Sequence, residues 1–283
     1  MVGNSIEAGE GAGRPHAKRI LVTGASGTLG RVIVPGLAQA GFRLQLNDLA
    51  HFPDELPDGV DFVAADLTDQ GALAAACPED VTDIIHFGGI NTELSSKAIL
   101  DANILGSLNV FEVARMREAR VIYASSNHTI GFHPRGATLT IDDPYRPDGY
   151  YGLSKAYVEL LGRLFYDKHG VESVHLRIGS CVPEPVDTRH LATWLSYPDL
   201  VRLMIAALTV PNPGYAVVWG ISRNTRRWWI GDDAQRIGYF PQDDAEAYAD
   251  RVNAETGEAV SLAFQGASHC AIGYTRDEPG ERL

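Results

Sequence analysis

The stretch TGASGTLG, Thr23 to Gly30, follows the apolar run RILVT and opens the helical pattern TLGRVIVPGLAQAG, which closes at Gly41. A buried strand, a glycine turn and a helix in immediate succession make a phosphate-binding arrangement. Gly24 permits the tight turn, Gly27 lets backbone approach a pyrophosphate, and Gly30 allows the helix to pack close on the strand. The first-turn amides at Thr28, Leu29 and Gly30 would hold the diphosphate. Glycine-rich strings are common, and the strand–turn–helix setting is what makes this one specific. Pro35, inside the helical pattern, should kink or loosen a turn.

The alternation continues outward from this unit. RLQLND is a second strand, VDFVAAD a third, DIIHFGG a fourth and ARVIYASS a fifth. Between the last two, AILDANILGSLNVFEVARM has apolar residues at three- and four-residue steps, as a packed helix requires. YGLSKAYVELLGRLFYDKHG is the clearest helix: Leu153, Ala156, Tyr157, Leu160, Leu161, Leu164 and Phe165 line one side, and Gly170 suits a left-handed cap. ESVHLRIG returns as a sixth strand. The pattern implies an α/β fold, a Rossmann-type doubly wound parallel sheet covered on both faces. Past Gly179 it breaks into PEPVDTRH, TWLSYPD, PNPG, AVVWG and RRWW, which reads as a small loop-rich C-terminal cap over the sheet edge. The expected organisation is a Gly-rich disordered arm over 1–17, a dinucleotide-binding domain with its catalytic helix over 18–180, and a substrate-binding cap over 181–283 packed on the same domain.

With 283 residues, 45% hydrophobic, the chain can bury a sizeable core in one large domain. Its 24 basic and 36 acidic residues leave a net charge of −12, which repels phosphate backbones and anionic lipid. Nucleic acid and membrane surfaces are therefore excluded as partners, but a small anion held by one arginine is not. Three widely spaced cysteines (Cys77, Cys181, Cys270) and scattered histidines form neither a disulfide framework nor a metal-ligand pattern. A reduced cytoplasmic protein without metal is expected. No segment approaches the roughly 20 apolar residues of a membrane span.

The second strand ends at Asn47-Asp48, 18 residues beyond Gly30, with Leu49 beside it. An acidic side chain there can accept hydrogen bonds from an adenosine ribose diol. A 2′-phosphate, carrying roughly −1.5 to −2 charges, would be repelled. No arginine immediately follows Asp48, so NAD is expected rather than NADP. AADL sets Asp66 and Leu67 beside the adenine, and FGGIN runs Phe87, Gly88, Gly89 and Asn91 along the dinucleotide.

Tyr151 and Lys155 are four apart on the strongest helix and leave its same face. A lysine ammonium about 5 Å from a phenol, at an effective dielectric near 20, supplies roughly 3 kcal/mol, or about two units of acidity. A phenolate base near neutral pH is the expectation. In VIYASSNHTIGFHP, the fifth strand ends in Ser125, Ser126, Asn127 and His128, four consecutive hydrogen-bonding side chains. A polar turn is one account of them and a pocket for a hydroxyl-rich ligand is the other.

TGxxGxxG after the first strand, serine at the end of the fifth and YxxxK on the next helix resemble the short-chain dehydrogenase/reductase superfamily. Asn103, in NILGSLNVFEVA, matches its extended branch, which includes sugar-nucleotide epimerases and dehydratases. More narrowly, SSNHTIG, RIGSCVPEP, TWLS, VVWG, Trp228-Trp229 and the late FQG are similar to the uronate dehydrogenases. The resemblance covers essentially the whole chain after residue 17. It implies oxidation of galacturonate or glucuronate at C1 with NAD, giving an aldarolactone. It implies a catalytic set of Tyr151, Lys155, Ser126 and Asn103, in which Ser126 bonds the C1 oxygen, Tyr151 takes the hydroxyl proton and Lys155 holds the nicotinamide ribose. Asn127 and His128 would face the sugar hydroxyls, Arg189 would grip both carboxylate oxygens in its planar fork, and Ser180 and Phe264 would complete the sugar pocket. Cys181 would touch the cofactor. Asn91 stands where those enzymes have serine. Homo-oligomers through the helices around Leu105 and Leu160 also follow from the resemblance. A sugar-nucleotide epimerase or dehydratase would need a larger C-terminal region than the about 100 residues left after the sixth strand. A non-catalytic NAD-binding protein would lack the tyrosine–lysine pair.

Overall fold

Ile20, Leu21 and Val22 are wholly buried because β1 (Arg19–Thr23) runs through the middle of a sheet with helices on both faces. Alternate side chains leave opposite faces of a strand. Ile20 and Val22 enter the core beneath α1 (Thr28–Gln39), and Leu21 enters the second core on the other face. This computed structural model describes residues 18–276, so the arm expected over 1–17 lies outside the described residues.

The chain continues through β2 (Arg43–Asp48), β3 (Asp61–Ala64), α2 (Gln70–Ala76) and β4 (Asp83–His86). It then forms α3 (Ser96–Ile99), a π-helical turn (Leu100–Leu105) and α4 (Gly106–Arg117) where one long helix was expected. β5 (Arg120–Ser126), α5 (Tyr150–His169) and β6 (Ser173–Ile178) follow. After the short strands β7 (Ser180–Cys181) and β8 (Trp194–Leu195), with α6 (His190–Thr193) between them, come α7 (Tyr197–Thr209) and β9 (Tyr215–Gly220). The main sheet is parallel with strand order β3-β2-β1-β4-β5-β6-β9, so the direction of winding reverses between β1 and β4. A doubly wound sheet opens a ligand crevice at such a reversal, beyond the carboxyl ends of its strands.

Two expectations change. AVVWG is not part of a loop-rich cap: β9 extends the sheet by pairing with β6, and Leu200, Leu203 and Met204 of α7 fill the same core as α1. Its apolar run is that of an ordinary buried strand, disguised by the irregular sequence before it. α1 runs through Pro35 without ending, because Ile33, Val34 and Leu37 are locked into the core and α7 closes on Gly36, where a Cβ would stand 2.8 Å from Val201. Finally, the apolar set on α5 divides: Leu153, Leu160 and Leu164 are 51%, 57% and 52% exposed, while Ala156, Leu161 and Phe165 are buried. The buried side also carries Val158 together with Ser154, Lys155 and Glu159, polar residues that have partners inside. Among the described residues, no helix is long and apolar enough to cross a membrane.

Candidate active site

A groove of about 540 Å³ lies at the crevice. Gly24, Gly27, Thr28, Leu29, Gly30, Asp48, Leu49, Asp66, Leu67, Phe87, Gly88, Gly89 and Asn91 all line it, so residues from four separate stretches of sequence meet there. Gly24 has φ of +68°, and a Cβ on it would stand 2.4 Å from Gly88 N. At Gly30 a Cβ would stand 2.2 Å from Ala25 O, which is the close helix–strand packing expected. α1 begins at Gly27 with no side chain capping it, leaving its first amides free to meet an anion. Asp48 accepts the amides of Ser26 (3.0 Å), Leu49 (2.7 Å) and Ala50 (3.3 Å), which anchors its carboxylate at the end of β2. These features fit NAD: amides for the diphosphate and a carboxylate for the adenosine ribose.

The far wall of the groove is tied to α5. Asn103 accepts the Ile90 amide (2.7 Å) and donates to Ile90 O (2.9 Å) and Ser154 Oγ (3.0 Å). Its amide is thereby committed to the backbone of the groove wall, so it positions that wall rather than touching reacting atoms. Glu93, just beyond, accepts the amides of both Tyr150 and Tyr151 at 2.9 Å and takes the place of a capping residue at the start of α5.

Tyr151, Lys155 and Ser126 come together as expected, but their electrostatics differ. Lys155 Nζ lies 5.6 Å from the centre of the Tyr151 ring and 4.7 Å from that of Tyr123, and it donates to Ala124 O at 2.7 Å. Burial pushes the Tyr151 phenol up to about 12, the Ser126 hydroxyl pulls the other way, and Asp148 adds to the rise. Burial also holds Lys155 down at about 7. Desolvation thus works against the charged form of both groups, and the Ser126 hydroxyl is the contact that favours the phenolate.

Ser126, Asn127 and His128 reach three different partners. Ser126 bonds Tyr151 and accepts the His128 amide (3.2 Å). With its amide turned so that Nδ2 faces Ile178, the orientation its neighbours require, Asn127 donates to Ile178 O (3.1 Å) and accepts from Arg189 Nη2 (3.2 Å). His128 Nδ1 pairs with Asp148 Oδ2 at 2.6 Å, and its ring stacks 3.9 Å from His269. Arg189 donates from Nη1 to Ser180 Oγ (3.0 Å) and from Nε and Nη2 to Gln265 O (3.3 and 3.0 Å). Its bonded partners are thus all neutral, while Glu255, Asp187 and Asp148 act on it only through space, and burial lowers its pKa. Cys181 packs against the α1-side core outside the groove lining, and Phe264 is buried edge-on to Phe132, at the wall of a second cavity that also includes Asp148.

Beneath the end of β5, Glu159 accepts from Ser125, Tyr145 (2.9 Å) and Arg177 Nη2 (2.9 Å), and Arg177 lies over the rings of Tyr145 and Trp219. This buried network fixes the strand end that carries Ser126. Asp148, His269, Glu93 and Ser154 were missed by sequence reasoning. Asp148 sits three residues before Tyr151, but nothing in the local pattern separates it from an ordinary loop aspartate.

A dinucleotide groove that leads to a buried tyrosine and serine is the working end of an oxidoreductase that moves hydride to or from a nicotinamide. Comparison with known proteins narrows that class. The chain belongs to the NAD dependent epimerase/dehydratase family, which matches residues 20–196. It is 40% identical over 264 residues to a uronate dehydrogenase of Pseudomonas syringae pv. tomato, covering 92% of this chain and 96% of that protein. With a uronate dehydrogenase of Agrobacterium fabrum the identity is 42% over 242 residues, covering 84% and 90%. The structure of a uronate dehydrogenase variant from Agrobacterium tumefaciens, complexed with NAD, is similar with a TM-score of 0.84 and 40% identity, covering 90% of this chain and 97% of that one.

Proposed function

We propose that this chain oxidises C1 of a free hexuronate, galacturonate or glucuronate, with NAD and releases the aldarolactone. Arg189 carries the reading. A half-buried guanidinium bonded only to neutral groups lacks a counter-charge until an anion arrives, and the acid group of a uronate supplies one. In this reading Ser126 donates to the C1 oxygen and Tyr151 accepts the hydroxyl proton, while Lys155 and Asn103 keep the tyrosine and the groove wall in place. Bound NAD supplies the hydride acceptor and a positive charge beside the phenol. C1 loses one hydride and its hydroxyl one proton, and the C1–O bond becomes the lactone carbonyl.

Incubating purified protein with NAD and either uronate, or the matching neutral aldose, tests the assignment. NADH formation with uronates and little with the neutral sugar is expected. Equal rates with both, or no net NADH, would overturn it. The exposed Leu153, Leu160 and Leu164 of α5, with exposed Leu105 on the π-turn that packs against α5, support a homo-oligomer, which light scattering would read as a mass above that of one chain.

A further inference from the structure

Asp148 lies just before α5, and backbone from three segments encloses its carboxylate. A Cβ at Gly131 or at Gly266 would stand 1.9 Å from Asp148 Oδ2, and one at Gly152 would stand 3.0 Å from Oδ1. None of these glycines has positive φ, so they are not there for a turn. They leave room for one side chain. Within this cradle Oδ2 meets His128 Nδ1 at 2.6 Å, and Oδ1 has no partner among the described residues.

A carboxylate only accepts hydrogen bonds, so the hydrogen between the two groups belongs to Nδ1. A neutral His128 then carries its lone pair on Nε2. The His128 ring meets that of Tyr151 edge-on, with centroids 5.6 Å apart. Its other face is covered by His269, which burial holds down at about 4 and which therefore supplies packing without charge. Of the polar groups gathered around Ser126, Arg189 only donates, and Asn127 is engaged with Ile178 and Arg189. A sugar ring brings several hydroxyl hydrogens that need an acceptor.

We propose that Asp148 is a positioning residue that fixes His128 as its Nδ1–H tautomer, so that Nε2 accepts a hydrogen bond from a ring hydroxyl of the uronate. The substrate half of this statement rests on the function proposed above. An outer partner of this kind sets which nitrogen of an imidazole faces the ligand.

A double-mutant cycle with nitrogen NMR of the histidine rings tests it. Asp148→Ala should raise KM for galacturonate roughly tenfold, the worth of about one hydrogen bond, with NAD affinity unchanged. Asp148→Asn, which keeps a carbonyl acceptor in nearly the same volume, should recover part of that loss and keeps the cycle usable if the alanine variant does not fold. In a His128→Gln background, the change at Asp148 should have no further effect, because it acts through His128. The spectrum of the parent, assigned by the signal missing in His128→Gln, should show the hydrogen on Nδ1, and Asp148→Ala should give a tautomer mixture. Equal KM losses in both backgrounds, or a parent hydrogen on Nε2, would overturn the proposal. A parent that oxidises no uronate refutes the function and the substrate half together, while the spectrum still decides the tautomer.

Discussion

Arg189→Lys is the most informative single change. The guanidinium spends Nε and one Nη2 hydrogen on Gln265 O, its other Nη2 hydrogen on Asn127 and one Nη1 hydrogen on Ser180. Of its donors, one Nη1 hydrogen is left for a ligand. A two-oxygen grip on a carboxylate would thus require Ser180 or Asn127 to yield, and the fork serves mainly to hold the cation in place. A lysine ammonium cannot reach the same partners together and loses both the direct bond and its aim. One charged hydrogen bond contributes about 1.5–3 kcal/mol, so KM for galacturonate should rise roughly 10- to 100-fold. The KM for the neutral aldose should stay within about threefold, since no charged contact is lost there. Initial rates of NADH formation over a range of both sugars provide the measurement. An unchanged uronate KM, or an equal loss for both sugars, would refute the reasoning.

Tyr151→Phe should lower kcat by roughly 100- to 10,000-fold while NAD still binds, as titration calorimetry can check; retained turnover would remove the tyrosine from the chemistry. Asp48→Ser should weaken NAD and relieve the repulsion of a 2′-phosphate, narrowing the NAD-to-NADP ratio of kcat/KM by roughly tenfold or more. Glu159→Gln leaves Arg177 buried without its counter-charge and should cost about 3–5 kcal/mol in urea unfolding, with both side chains almost fully enclosed. Burial holds His86 at about 3 and both His175 and His269 at about 4, against an ordinary 6.5. The unfolded chain therefore binds more protons across that interval, so their stabilisation is present in full above about 6.5 and is lost as pH falls toward 4. Urea midpoints should decline through this window, and His175→Gln should make the decline shallower; an unchanged slope would count against that histidine's share.

Local spacing made much of this protein legible. Glycines at Gly24, Gly27 and Gly30 needed only their neighbours to announce a phosphate turn, and a four-residue step placed Tyr151 beside Lys155. Features joined across distance were hidden. Glu93 caps α5 from 57 residues away, and the Asp148 cradle draws on glycines in three different segments. On α5 an apolar count merged core residues with an outward stripe, because it passes over Lys155 and Glu159, polar side chains that the core face also carries. The size of the burial effect on Tyr151 and Lys155 was equally out of reach, because desolvation depends on the whole fold and not on a four-residue spacing.

The carboxylate of Glu93 and the amide of Asn103 together stitch residues 90–93 to the first turn of α5. That segment of the groove wall and the helix bearing Tyr151 are therefore fastened to each other. Grafting a loop of different length between Gly89 and Glu93, an obvious route to a new cofactor or sugar preference, would unhook Tyr151 from its mooring. Redesign here has to carry loop and helix start together as a cassette.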